Sequence, residues 1–135
     1  MLTAEMILAS GCFDGLHAGH VRYLQASAAL NPQQALWVAI APDSYIVMHK
    51  SRTAFWLQAD RAATVYALGC VDHVVCHQDD TPAALIRQIK PRVFAKGSEW
   101  RGRIPEEVVA ACQAVGCEIR YVDTPGRHTE EARTG

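Results

Sequence analysis

The sequence predicts an α/β fold, in which helices cover both faces of a parallel sheet. Short apolar runs that are typical of buried strands alternate with segments of helical periodicity. Residues 35–41 are all apolar, as expected for a strand that is buried on both faces. Alternation of this kind is typical of parallel sheets with helical crossovers. We therefore predict a Rossmann-like three-layer α/β/α sandwich with a five-stranded parallel sheet in the order 3-2-1-4-5.

The predicted elements follow from apolar runs and from the residues that end them. We predict strands over residues 4–10, 35–41, 71–76, 92–95 and 117–122. We predict helices over residues 18–30, 58–68, 82–90 and 105–115. Gly69 and Gly116 end two of the helices and Pro91 ends a third, while Thr81 is a candidate N-cap.

The segment between the second strand and the following helix has weak periodicity. We expect residues 44–57 to form a loop with a helical turn at residues 44–47. The tail beyond residue 122 is polar and contains Pro125-Gly126, a turn signal.

The size and charge of the chain exclude several classes of protein. Its 135 residues suit one domain, which we predict to span residues 1–135. The formal net charge of -1 argues against nucleic acid or an anionic membrane as a partner. No apolar run approaches the roughly 20 residues of a membrane-spanning helix. An odd number of cysteines, 5, in a domain of this size favours reduced thiols and a cytoplasmic protein.

The most informative segment is Gly-Cys-Phe-Asp-Gly-Leu-His-Ala-Gly-His at residues 11–20. It follows the first strand and opens the first helix, so His17 and His20 lie on the same face of one turn. The helix start adds unpaired N–H groups and the positive end of the helix dipole. This combination predicts a polyphosphate site. The alternatives are a helix cap with two surface histidines, and a zinc site, for which the neighbouring sequence lacks further ligands.

Two more polar segments follow strands and are predicted to reach the same edge of the sheet. Lys50, Arg52 and Arg61 come after the second strand, where basic groups can neutralise a developing pyrophosphate. A solvated loop explains Arg52 better, and explains Lys50 equally well. Residues 96–100, Lys-Gly-Ser-Glu-Trp, come after the fourth strand. They could line a nucleoside or acceptor pocket, with Trp100 against an apolar ring, or form a plain turn.

Residues 11–20 resemble the Gly-x-Phe-Asp-x-x-His-x-Gly-His signature of the nucleotidylyltransferase superfamily. That group includes cytidylyltransferases acting on glycerol 3-phosphate or phosphocholine, and the adenylyltransferase domain of the bifunctional enzyme of ADP-heptose synthesis. Residues 71–86 and 91–100 are also similar to the heptose enzyme, so the resemblance covers most of the chain. After the fifth strand, relatives carry Arg-x-x-Gly-Ile-Ser-Thr-Thr. Here Arg127 and Thr129 are the candidates for its phosphate contacts.

The resemblance implies transfer of a nucleoside monophosphate from ATP or CTP to a phosphorylated small molecule, such as a sugar phosphate, with release of pyrophosphate. It implies catalytic roles for His17, His20, Lys50 and Asp14. It implies nucleotide contacts for Gly11, Cys12, Phe13, Gly19, Arg61, Lys96, Gly97, Glu99, Trp100, Arg127 and Thr129. It also implies Mg²⁺ carried with the nucleotide, no protein metal site, and a homodimer.

Three alternatives stay open. Trp100 is similar to the tryptophan of the glycerol 3-phosphate cytidylyltransferases, which implies CTP and an alcohol phosphate. The unusual tail is also consistent with a catalytically weak nucleotide-binding module. Finally, the sequence could be one domain of a longer bifunctional enzyme.

Overall fold

A computed structural model of the protein describes residues 3–123. The strands in this range are β1 Ala4–Gly11, β2 Ala35–Ile40, β3 His73–Cys76, β4 Pro91–Gly97 and β5 Glu118–Val122. The helices are α1 Ala18–Ala29, α2 Asp43–Lys50, α3 Gln58–Tyr66, α4 Ala83–Ile89 and α5 Glu106–Val115. All the strand pairs are parallel and the order is β3-β2-β1-β4-β5, which confirms the predicted fold class and strand order. Arg127 and Thr129, two predicted nucleotide contacts, lie outside the described residues.

β1 lies at the centre of the sheet, paired with β2 on one side and with β4 on the other. Its apolar side chains alternate between two cores. Ile7 and Ala9 pack in the core that contains Leu24 of α1 and Val65 of α3, whereas Leu8 packs in the core of α4 and α5. Because residues 6–9 of β1 are buried on both faces, they form a continuous apolar run.

The main difference from the predicted elements is α2, where a loop was predicted. Ile46 is its buried residue, so the segment has no apolar face that hydrophobic periodicity would detect. Polar side-chain contacts with other parts of the chain hold the helix instead. Arg61 contacts the Asp43 carboxylate at 2.6 Å in the first turn, and His49 in the last turn contacts Asp80 at 2.9 Å. The loop prediction was wrong for this half of the segment because these contacts are not local in sequence.

The ends of β4 and α5 also matter for the site. β4 runs from Pro91 to Gly97, further than predicted, so Lys96 and Gly97 belong to the strand. α5 ends at Gly116, as predicted, with a φ of 74° that glycine adopts without steric cost. Residues 98–100, between β4 and α5, form a short 3-10 turn.

The strand order determines where a ligand can bind. The chain leaves β1 on one side to form β2 and β3, and returns on the other side to form β4 and β5. The switch point therefore lies at the carboxyl end of β1, where residues 11–20 begin. Across residues 3–123, no helix combines the length and the apolar character needed to cross a membrane.

Candidate active site

A cavity of about 920 Å³ opens at the carboxyl edge of the sheet. The β1–α1 turn forms the floor of this cavity. One wall is formed by α2 and the segment after β3, and the other wall by the end of β4 and the start of α5. Most of the predicted site residues within the described range line it. They are Gly11, Cys12, Phe13, His17, Gly19, His20, Lys50, Lys96, Gly97, Glu99 and Trp100. The two exceptions, Asp14 and Arg61, lie behind the lining.

His17 and His20 cap the start of α1. His17 Nδ1 accepts a hydrogen bond from the Gly19 backbone N–H at 3.0 Å, and the His17 backbone N–H donates to His20 Nδ1 at 3.3 Å. Together these bonds form a capping box in which histidines replace the usual hydroxyl and carboxylate. The two rings stack with their centroids 3.8 Å apart. The motif therefore sets the helix start and the orientation of both imidazoles at once.

The capping box also determines which ring nitrogen carries hydrogen. Each Nδ1 accepts a hydrogen bond from a backbone N–H, so a neutral ring carries its hydrogen on Nε2. Both histidines line the cavity. The stacked pair can thus direct two Nε2–H donors to the oxygens of a bound phosphate.

Asp14 is buried and binds the segment between α2 and α3. Its carboxylate accepts hydrogen bonds from the backbone N–H groups of Phe55 and Trp56, both at 2.9 Å, and from Arg52 at 2.6 Å. Burial alone would raise the pKa of Asp14, but these three donors outweigh it and hold the pKa below its ordinary value. This geometry matches a role in orienting the β1–α1 turn, and the predicted catalytic role of Asp14 stays a prediction.

Arg52, which sequence reasoning assigned to a solvated loop, is the ionic partner of Asp14. Its side chain is three-quarters buried, and its guanidinium lies 4.1 Å from the centroid of the Phe55 ring. The pair Asp14–Arg52 therefore ties the β1–α1 turn to the chain that follows α2. No local signal marks this pairing, because 38 positions separate the two residues.

Arg61 also has a different place from the one predicted. Its guanidinium donates to the carbonyls of Trp56 and Cys12 at 3.0 and 2.8 Å and to the Asp43 carboxylate at 2.6 Å. All its nitrogens thus meet protein acceptors, as a fully buried cation requires. Arg61 therefore lies behind the β1–α1 turn and outside the cavity lining, and its contact with a nucleotide stays a prediction.

Lys96 reaches the cavity from β4. Its ammonium donates to the Ser10 carbonyl at 3.1 Å and lies 4.5 Å from the centroid of the Trp100 ring. Burial is the main cause of a lowered pKa for Lys96, which the negative charge of Glu99 partly offsets. A buried cation between a carbonyl and an aromatic face is well placed to bind an anionic ligand.

The Glu99 carboxylate folds back over Gly97. A side-chain Cβ at position 97 would collide with the Glu99 carboxylate. Glu99 and Trp100 then project from the 3-10 turn and line the cavity on the β4 side. This arrangement matches the prediction that residues 96–100 border a ligand pocket.

Cys12 and Phe13 complete the floor. Phe13 is buried with a left-handed backbone (φ 54°), and its ring meets the His20 ring edge-on at a centroid distance of 5.2 Å. Burial raises the pKa of the Cys12 thiol, although the charges of Lys50, Arg61 and Lys96 oppose the shift. The thiol therefore stays protonated near neutral pH and fills space beside the turn.

Sequence reasoning missed several polar side chains of the cavity. Tyr23 of α1 donates to the Ala95 carbonyl at 2.6 Å, and burial raises the pKa of its hydroxyl. Tyr45 of α2 lines the opposite wall with His77 and Asp80. Burial lowers the pKa of His77, which contacts the Asp79 carbonyl through Nδ1 at 2.9 Å. Neither spacing nor composition singles these residues out.

The described residues offer no cluster of three or more His, Cys, Asp or Glu side chains that could hold a metal ion. The carboxylates that line the cavity belong to Asp80, Glu99 and Asp123. They come from three different elements.

A sequence model of the cytidylyltransferase-like family matches residues 8–133 of the chain. This chain belongs to the cytidylyltransferase-like family. The match confirms the resemblance carried by residues 11–20 and extends it through the parts of the sheet that build the cavity.

Curated relatives of this cytidylyltransferase-like chain include bifunctional HldE proteins. The chain is 38% identical over 120 residues to HldE of Campylobacter concisus, and 39% identical over 130 residues to HldE of Methylobacillus flagellatus. These alignments cover 88% and 93% of this chain but 24% and 25% of the relatives. The chain thus spans about a quarter of the length of the curated relatives it matches.

Solved structures share the fold. A lipopolysaccharide core biosynthesis protein from Thermoplasma volcanium superposes with a TM-score of 0.72 at 23% identity, covering 91% of this chain and 98% of that chain. The pantothenate synthetase of Thermus thermophilus superposes with a TM-score of 0.56 at 15% identity, covering 88% and 56%. At these identities the likeness shows the cytidylyltransferase-like fold alone.

The contacts of Asp14 predict a stability effect that depends on pH. The pKa of this carboxyl is lower in the folded than in the unfolded protein, so its charge stabilises the fold above about pH 4 and this stabilisation is lost as the pH falls. We expect Asp14→Asn to lower the free energy of unfolding at pH 7 by about 2–4 kcal/mol. Urea unfolding at pH 7 and at pH 3.5 measures both effects.

The matched control is Asp60→Asn, which removes an exposed carboxylate from the first turn of α3. It should change the stability at pH 7 by about 0.5 kcal/mol or less. Equal losses for the two variants, or an unchanged acid dependence in Asp14→Asn, would contradict the assigned role of Asp14.

Proposed function

We propose that this cytidylyltransferase-like protein transfers a nucleoside monophosphate from a nucleoside triphosphate to a phosphorylated small molecule. The observation that carries the proposal is the capped pair His17–His20, whose stacked imidazoles line the cavity at the start of α1. Lys50 and Lys96 add positive charge from the walls on either side. Imidazoles and cations that line one cavity suit the α-phosphate and the leaving pyrophosphate.

The proposed reaction is one in-line displacement. An oxygen of the acceptor phosphate forms a bond to the α-phosphorus, and the bond from that phosphorus to the bridging oxygen breaks, so pyrophosphate leaves. His17 and His20 donate hydrogen bonds to the phosphate oxygens that gain charge in the transition state. Lys50 neutralises charge on the reacting phosphates. Asp14 and Arg61 act behind them by holding the β1–α1 turn and the chain around α2.

ATP as the donor and a sugar phosphate as the acceptor are part of the proposal. Support comes from the similarity to the HldE proteins over most of this chain and from the resemblance to the heptose 1-phosphate adenylyltransferase domain. The second candidate is transfer from CTP to an alcohol phosphate such as glycerol 3-phosphate, which Trp100 favours through its likeness to that group of cytidylyltransferases.

Magnesium enters the proposal as part of the substrate. The nucleotide phosphates would supply most of its oxygen ligands, as is usual for Mg²⁺ bound with nucleotides. Glu99 and Asp123 are the cavity carboxylates on the β4–β5 side that could bind its water shell.

The predicted homodimer is also retained as a proposal. Six large apolar side chains on α2, α3 and the segment between them are more than half exposed, and such surfaces commonly mark protein contacts. They are Val47, Met48, Phe55, Trp56, Leu57 and Tyr66. Sedimentation velocity would test the dimer, and a monomer at micromolar concentration would contradict it. The cytoplasmic location stays a prediction.

A pyrophosphate-release screen tests the proposed reaction. It crosses ATP and CTP with a heptose 1-phosphate, mannose 1-phosphate, glycerol 3-phosphate and phosphocholine. We expect release to require an acceptor and to be fastest with ATP and a sugar phosphate. Release confined to CTP with glycerol 3-phosphate would favour the second candidate. Absence of release with every pair, while calorimetry detects ATP binding, would leave a nucleotide-binding module.

We expect substitution of either histidine of the pair to lower the reaction rate strongly while the protein stays folded. In His17→Asn and His20→Asn the amide oxygen can replace Nδ1 as the capping acceptor, but the Nε2–H donor is lost. We expect kcat/KM for pyrophosphate release to fall by about 10²–10³-fold in each variant. Thermal unfolding checks that the helix start survives.

The control for these variants is His73→Asn, which changes an exposed histidine on β3 outside the cavity. Its kcat/KM should equal that of the wild type. If His17→Asn or His20→Asn keeps most of the wild-type activity, the substituted histidine is excluded from catalysis.

Lys96 predicts a pH dependence of ATP binding. Burial lowers the pKa of Lys96 to about 8, so the free protein loses this charge as the pH rises through that value. A neighbouring polyphosphate favours the charged form, so binding takes up a proton above pH 8. We expect the Kd for ATP to rise by up to about tenfold per pH unit between pH 8 and 9.5. Lys96→Arg keeps its charge, so its Kd should stay nearly flat in calorimetry. Equal slopes in the two proteins would show that Lys96 does not meet the phosphates.

A further inference from the structure

The cavity has two ends, because its walls come from opposite sides of β1. The chain after β2 and β3 builds one end, where Tyr45, Asp80 and Thr81 line the cavity. The chain after β4 builds the other end, which begins at Lys96 and Trp100. The histidine pair stands between them, at the end of β1. A donor and an acceptor that react over these histidines can therefore occupy opposite ends.

The two ends differ in chemistry. The β4 end carries the charged groups of Glu99, Arg103 and Asp123, and beside them Trp100 and an apolar patch of Ile104, Pro105 and Val108. One aromatic and three apolar side chains suit the flat face of a nucleobase. The β3 end presents a carboxylate and a hydroxyl, Asp80 and Thr81, which suit a ligand rich in hydroxyl groups.

Asp80 is held in a defined orientation at the β3 end. His49 Nε2 lies 2.9 and 3.0 Å from its two carboxylate oxygens. The His49 ring stacks on the Tyr45 ring one turn earlier in α2, with centroids 4.3 Å apart. A carboxylate has about four acceptor sites, so this bond to His49 leaves capacity for ligand hydroxyls. Asp80 is half-exposed and lines the cavity, so that capacity is accessible.

We propose that Asp80 selects the acceptor substrate. Its carboxylate accepts hydrogen bonds from hydroxyl groups of a sugar or polyol phosphate, and thereby discriminates against acceptor phosphates without hydroxyls. His49 is a positioning residue that acts through Asp80, with Tyr45 supporting its ring. The inference rests on the proposed nucleotidyl transfer and adds to it the end of the cavity that the acceptor occupies and the group that recognises it.

The test separates the acceptor from the nucleotide. Initial rates of pyrophosphate release are measured with ATP and mannose 1-phosphate or a heptose 1-phosphate, and with phosphocholine as the acceptor without free hydroxyls. We expect Asp80→Ala to raise the KM for the sugar phosphates by about 10- to 100-fold, the range for losing hydrogen bonds to a charged group. The KM for ATP, kcat with saturating acceptor and the rate with phosphocholine should stay within twofold of the wild type.

Asp79→Ala is the matched control, because Asp79 is an exposed carboxylate beside Asp80 that does not line the cavity. It should leave every KM unchanged. His49→Ala should raise the KM for the sugar phosphates by a smaller factor without changing kcat. His49→Gln, whose amide can still donate to Asp80, should restore most of the affinity. A structural defect would instead lower kcat, or the melting temperature, in both His49 variants.

Several outcomes would overturn the inference while leaving the proposed function intact. They are a wild type that prefers phosphocholine, an unchanged sugar-phosphate KM in Asp80→Ala, and an effect that falls on the KM for ATP. Failure of the proposed function looks different, because no acceptor would then release pyrophosphate from the wild type. In that case the inference falls with it.

Discussion

The structure depends on one buried carboxylate. Asp14 accepts hydrogen bonds from two backbone N–H groups and one guanidinium of the segment between α2 and α3. A buried charge is stable only with such a set of donors, so the contact imposes a single arrangement on both segments. Arg61 is a buried cation that is stabilised in the same way, because its guanidinium donates hydrogen bonds to two carbonyls and a carboxylate. The two residues together hold the cavity floor against α2.

The histidine motif serves the helix start and the cavity with the same two residues. An N-cap is normally a serine, threonine or aspartate, whose side-chain oxygen accepts hydrogen bonds from backbone N–H groups. An imidazole has two ring nitrogens that point in different directions. The Nδ1 atom of each histidine takes part in the cap of α1, and both rings line the cavity. The helix start thereby fixes the orientation of both imidazoles before a ligand binds.

The parallel sheet arranges the rest of the site around this pair. Because β1 is central, the loops of its neighbours approach the histidine pair from two sides and line the cavity differently. An apolar patch with Trp100 lies beyond β4 among charged groups, whereas the Asp80 carboxylate, held by His49, lies beyond β3. The family relationship supports the proposed reaction class. The difference between the two ends supports the proposal that a base and a hydroxylated acceptor bind at opposite ends.

Local rules were enough to predict the strands, four of the five helices and the motif at residues 11–20. Burial of β1 and β2 on both faces leaves a continuous apolar run, and glycine or proline marks the ends of most elements. Because the two histidines follow a strand and open a helix, the sequence predicts that they border a polyphosphate site. By contrast, α2 buries only Ile46, so no amphipathic pattern marks it as a helix. Its polar side-chain contacts join residues 18 and 31 positions apart, so tertiary structure alone decided it. The contacts of Arg52 and Arg61 also depend on the tertiary structure. An arginine that binds phosphate and one that binds a carbonyl 49 positions away look alike in a sequence, because only the folded chain shows which acceptor its guanidinium meets.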